Sequence, residues 1–109
     1  MKKYIVFGFT NVETFNKSEE PTQQERELIF KQWMEWKDEL GELLVSMGSP
    51  LINGVALNDT GILDDNVSNL SGYMIIKAEN QKHAYELLNK SPLFQRGHGQ
   101  KYELFECIM

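Results

Sequence analysis

The chain is poor in the residues from which most sites are built. It holds one cysteine, Cys107, so no internal disulfide is available and the expected setting is a reducing cytoplasm. It holds two histidines, His83 and His98, without ligand spacing to each other or to the cysteine, and no metal is expected. Basic residues are outnumbered, 11 Lys and Arg against 16 Asp and Glu, for a net charge of −5. That balance argues against nucleic-acid backbones and anionic membrane surfaces, which attract basic stripes. No run approaches the ~20 apolar residues needed to cross a bilayer. Lys2-Lys3 followed by Tyr4 to Phe9 has the look of a signal peptide, but the apolar run is short and Asn11 and Glu13 follow it. The phosphate-loop pattern is missing. Asp59, Asp64 and Asp65 cluster in a polar stretch without the terminal Glu of a calcium loop, so they read as solvated.

What remains is an ordinary globular composition, 41% hydrophobic and 25% charged, in 109 residues, enough for one domain (1–109) with one core. Lys3 to Phe9 is β-branched and aromatic, the composition of a strand. Thr10 to Pro21 is polar and without periodicity. Thr22-Gln23-Gln24-Glu25 forms a capping box. After it Ile29, Trp33, Trp36, Leu40, Leu43, Leu44 and Met47 recur at helical spacing, predicting one helix from Thr22 to a stop near Gly48-Ser49-Pro50. That helix would be about 39 Å long at 1.5 Å per residue. A sheet of four ~6-residue strands offers only about 20 Å. Either the polar first turns overhang or the helix bends, with Gly41 its weakest interior position.

A short edge strand is expected over Asn53 to Leu57, turns at Asn58-Asp59-Thr60-Gly61 and Asp64-Asp65-Asn66, and a third strand from Leu70 to Ala78. Asn80 caps a second helix carrying Ala84, Leu87 and Leu88, which ends at Ser91-Pro92. Lys101 to Ile108 is the last strand. The order βαββαβ is ferredoxin-like, and right-handed crossovers favour an antiparallel sheet in the order 4-1-3-2. Two helices cover only one face of such a sheet. Yet the central strands are apolar on both, with Ile5, Phe7 and Phe9 opposite Tyr4 and Val6, and Tyr73 and Ile75 opposite Met74, Ile76 and Ala78. The uncovered face calls for a partner, and an isologous homodimer is the default.

Candidate binding residues are few. Trp33 and Trp36 share one helical stripe and serve either as core or as the wall of a pocket beside the sheet. Asn53, Ser71, Tyr73 and Glu106 can supply its polar lining. Arg96-Gly97-His98-Gly99 forms a glycine-bearing turn in which Arg96 can hold an anion and His98 is the best candidate base. Cys107 has no basic neighbour to activate it, and His83 falls in the first turn of the second helix as a surface residue.

Several ordered phrases carry a family resemblance: Trp33-Met34-Glu35-Trp36 with Leu40-Gly41, Gly48-Ser49-Pro50-Leu51, Ser71-Gly72-Tyr73, Ser91-Pro92-Leu93-Phe94, and Tyr102-Glu103-Leu104-Phe105-Glu106. Together, from Lys3 to Ile108, they resemble the YCII-related (DGPF-domain) family. The resemblance implies an α+β fold in which two sheets pack across a dimer, the dimeric α+β barrel. It also implies a histidine in the first helix and an aspartate just before the proline after the second. Those positions are Trp33 and Ser91 here, and neither can carry out a His–Asp proton transfer. The expected function is therefore a homodimeric small-molecule-binding or regulatory protein without a cofactor. The alternatives are a cofactor-independent oxygenase or isomerase, and a purely structural module.

Overall fold

The computed structural model describes residues 1–9, 22–63, 68–95 and 101–109. Strand β1 (Lys2–Phe9) leads to helix α1 (Gln23–Leu40), a 3-10 turn (Gly41–Leu43) and strand β2 (Leu44–Pro50). A hairpin of β3 (Ala56–Asn58) and β4 (Gly61–Leu63) follows. Then come β5 (Leu70–Ala78), α2 (Gln81–Asn89), a single turn α3 (Pro92–Gln95) and β6 (Lys101–Glu106). The four long strands form one antiparallel sheet in the order β2-β5-β1-β6, which is the expected 4-1-3-2 arrangement of a ferredoxin-like α+β fold.

Helix α1 starts where its capping box places it. The Thr22 hydroxyl accepts the Glu25 backbone N–H at 3.1 Å, and the Glu25 carboxylate accepts the Thr22 N–H at 3.3 Å. It ends earlier than the apolar spacing suggests. Gly41 adopts φ +56° and donates its N–H to Lys37 O, closing the helix at Leu40. Leu44 and Met47, expected on the helix, belong instead to β2. The helix is then about 27 Å long, and its burial is confined to the C-terminal half, where Trp36 and Leu40 are enclosed while residues 23–28 are exposed. The excess length expected of this helix is thus resolved by an early stop together with overhanging polar turns.

The second strand of the sheet is accordingly Leu44–Pro50, not Asn53–Leu57. Residues 56–58 pair only within the separate hairpin, whose Asp59-Thr60 loop is closed by Asn58 Oδ1 accepting from Thr60 N–H at 2.9 Å. The Asp64-Asp65-Asn66 turn lies outside the described residues. Helix α2 carries its expected cap: Asn80 Oδ1 accepts the His83 N–H at 2.8 Å, and His83 Nδ1 in return accepts the Glu79 N–H at 3.0 Å. The last strand closes at Glu106, two residues before the expected Ile108.

The core lies between the helices and one face of the sheet. Tyr4, Val6, Met74, Ile76 and Ala78 pack there against Trp36, Leu40, Ala84 and Leu88. On the other face, in register, sit Ile5 with Ile75 and Phe7 with Tyr73. Phe105 lies at 5.8 Å from the Phe7 ring and is half exposed. No helix of the described residues packs on that face. Its polar groups include Lys3, Lys77 and the Lys101–Glu103 ion pair at 3.0 Å, with Lys101 Nζ also 4.9 Å from the Phe9 ring centroid.

Strand β2 joins the sheet irregularly, with register shifts on both sides of Ser46. The irregularity brings Gly48, at φ +65°, so close to β5 that a Cβ there would fall 1.9 Å from Tyr73 O. Gly41, by contrast, has open space around its Cβ position. Gly48→Ala is therefore expected to cost about 3 kcal/mol or more, and Gly41→Ala about 1–2 kcal/mol from backbone strain alone. Urea denaturation of the two variants reads the difference, and equal losses would contradict the close approach of β2.

Candidate functional site

Beyond the Lys2–Ala78 pair at the strand end, three cross-strand rows of side chains face the helices, and they shrink from the first to the third. The first row runs Leu44, Ile76, Tyr4, Glu106; the second includes Met74, Val6 and Leu104; the third is Pro50, Gly72, Gly8 and Tyr102. At the first row large side chains fill the space under Leu40. At the third row the two central positions are glycines, paired Gly8 with Gly72, so no side chain rises from the sheet there. The β2 backbone takes up part of the space beside Gly72, Ser49 O lying 3.2 Å from where a Cβ would stand. A cavity of about 450 Å³ results.

Helix α1 forms its roof with Phe30, Trp33, Met34 and Trp36. The Trp36 ring is 3% exposed and its Nε1–H donates to Leu87 O at 3.0 Å, which fixes it as part of the core. Trp33 stands edge-on to it, centroids 5.6 Å apart and planes at 84°, and is the half-buried one of the pair. The rim opposite is the irregular end of β2, from Met47 to Pro50. Ser71 and Tyr73 border the cavity from β5. The Ser71 hydroxyl donates to Gly8 O at 3.1 Å, and Tyr73 meets the cavity beside Gly48 although its register partner is Phe7 on the uncovered face. Tyr102 closes the row from β6. Its hydroxyl shares a 3.0 Å hydrogen bond with Ser91 Oγ, and Ser91 is fully buried. Phe94 packs on the Tyr102 ring at 4.6 Å.

Of the residues expected at a site, Trp33, Trp36, Ser71 and Tyr73 thus meet around one cavity. Asn53 does not: it is exposed, at φ +56°, in the segment after β2. The reason is the early end of α1, which puts Met47–Pro50 at the rim where Asn53–Leu57 was expected. Glu106 also lies away from it. It belongs to the first row, four residues or about 13 Å along β6 from Tyr102, and forms an exposed ion pair with Lys2 at 3.5 Å. Arg96 and His98 lie outside the described residues. The lining residues that the sequence reading missed include Gly8, Gly72, Tyr102 and Pro50, whose meeting depends on strand register, and Phe30 and Met34 on the helix. Among the described residues the lining includes no Asp, Glu, His, Lys, Arg or Cys, and no group of three or more such side chains is placed to hold a metal ion.

No family model matches the chain, and no curated protein matches it. Among solved structures it is similar to 5-chloro-2-hydroxyhydroquinone dehydrochlorinase (TftG) from Burkholderia phenoliruptrix AC1100, determined in complex with 2,5-dihydroxybenzoquinone. The TM-score is 0.54 over 93% of this chain and 90% of that one, at 12% sequence identity. At that identity the likeness is one of fold, and it agrees with the α+β architecture described above. No helix of the described residues is long and apolar enough to cross a membrane.

The buried hydroxyl pair can be tested directly. Ser91→Ala and Tyr102→Phe are each expected to cost about 1 kcal/mol, and the double variant less than their sum by about 0.5–1.5 kcal/mol. Urea unfolding of the four proteins measures that coupling; strict additivity would deny the pair.

Proposed function

We propose that this protein is a non-catalytic small-molecule-binding or regulatory protein of the YCII-related type, acting as a homodimer. The observation that carries the reading is the half-open cavity whose described lining has no Asp, Glu, His, Lys, Arg or Cys, the phenols of Tyr73 and Tyr102 being its titratable groups. Proton-transfer catalysis needs a titratable group within hydrogen-bond reach of the reacting atom. Holding a molecule needs only concave apolar surface and a few placed polar groups, which this lining has. Trp33 and Ser91 occupy the positions at which the family resemblance implies an acid–base pair. One is a wall of the cavity, and the other is engaged with Tyr102.

The dimer is supported by the uncovered face of the sheet. On that face Ile5, Phe7 and Ile75, partly exposed, adjoin the half-exposed Phe105, with Glu103 opposite Phe7 as a polar interruption. A patch of this kind marks an interface, and a second copy meeting it by a two-fold axis closes both faces at once. A reducing cytoplasm suits the single free thiol of Cys107.

Native mass spectrometry of gently purified protein tests both parts. The expected result is a dimer carrying a discrete extra mass, and Phe7→Asp is expected to shift the protein to monomer while leaving it folded. A monomeric parent protein would remove the dimer. A bare dimer that turns over a substrate, with the turnover lost in His98→Ala, would replace the binding reading with the oxygenase or isomerase alternative.

A further inference from the structure

Given the binding reading above, on which this inference rests, we infer that the ligand is an uncharged, flat ring compound laid over the Gly8–Gly72 floor. Shape is the first argument. The floor between Pro50 and Tyr102 carries no side chain at Gly8 or Gly72, on two strands about 4.8 Å apart. Strand β2 narrows it on the Gly72 side, where a Cβ would meet Ser49 O at 3.2 Å, and Trp33 and Met34 line it from the helix. A planar molecule fills such a slot, whereas a branched aliphatic one leaves gaps beside the glycines and forfeits dispersion contacts. The volume of about 450 Å³ is roughly three times the ~150 Å³ cavity that admits benzene, room for two fused rings and a substituent.

Charge is the second argument. A carboxylate or ammonium would lose its hydration without a described counter-ion in the lining. An aromatic cage for a cation needs several free ring faces. Two of the five lining aromatics are committed elsewhere, Trp36 buried edge-to-face against Trp33 and Tyr102 packed on Phe94. That leaves Phe30, Trp33 and Tyr73, on different elements, as the ring faces that the choline probe tests.

The third argument is that three of the four hydroxyls in the described lining, those of Ser49, Ser71 and Tyr102, are already partnered within the protein, with Tyr73 the fourth. Ser71 donates to Gly8 O, Ser49 to Pro50 O at 2.8 Å, and Tyr102 pairs with Ser91. An apolar ring entering the slot therefore strands no hydrogen bond made by these groups, and entry does not carry the cost of orphaned polar atoms.

The test is calorimetric titration of the full chain with four probes: 2-naphthol, 2-naphthoate, choline and 1-decanol. The expected result is saturable binding of 2-naphthol, one per chain, at least tenfold tighter than each of the others. Gly8→Val, which fills the slot, is expected to weaken it tenfold or more. Phe30→Ser, at an exposed position on the rim that tolerates change, is expected to weaken it about threefold and serves if the glycine variant does not fold. Tighter binding of naphthoate, choline or decanol, lost in the same variants, would overturn the ligand class and leave the binding reading standing. Binding of 2-naphthol unaffected by either variant would also overturn it, by locating the site elsewhere. Failure of all four probes to bind would overturn this inference alone, the binding reading being decided separately by the retained mass in native mass spectrometry.

Discussion

The register of β1 against β5 sets what the rest of the molecule must do. Opposing Tyr4 with Ile76 and Val6 with Met74 places bulk where α1 and α2 can enclose it. The same pairing, continued one step further, opposes Gly8 with Gly72 and leaves space. The intervening positions, Ile5 with Ile75 and Phe7 with Tyr73, are thereby committed to the other side of the sheet. A slip of one residue would exchange the two faces entirely. The packed core, the hollow and the uncovered apolar surface are therefore three outcomes of one alignment of two strands.

The helix layer is fitted to that alignment at two points. Gly41 stops α1 over the bulky end of the sheet, so that Leu40 is its last enclosed side chain. Gly48 lets β2 press against β5 and bring Ser49 and Pro50 alongside the hollow. Each glycine has a positive φ, which costs other residues strain. The exposed ion pairs, such as Lys90 with Glu39 between the two helices at 3.5 Å, contribute little beside these constraints.

Much of the fold was readable from local chemistry. The capping signals at Thr22-Glu25 and Asn80, the apolar strands at Lys3–Phe9 and Leu70–Ala78, and the order of elements all appear in the structure. The misplaced second strand has a specific cause. Leu43, Leu44 and Met47 continue the helical spacing of Trp36 and Leu40, and a short apolar run does not distinguish helix from strand by period alone. The deciding residue was Gly41, which the sequence shows only as a weak position. The site was half legible for a similar reason. Trp33 and Trp36 declare themselves by spacing on one helix, whereas Gly8 and Gly72 are 64 positions apart and acquire meaning only when paired. Asn53 fits a polar lining only if the second strand runs through it, and that strand lies instead at Leu44–Pro50.

The hairpin of β3 and β4 hangs from the sheet by its two ends. Its register is set by its own two-residue loop and by Asn58, since β3 and β4 pair only with each other among the described strands, and Leu57 and Ile62 on it remain largely exposed. A two-stranded ribbon of this size has little stability of its own. It is thus a detachable module in the folding sense: it can open, lengthen or change composition while the four-stranded sheet stays closed. Variation between descendants of this chain can accumulate there without reaching the core.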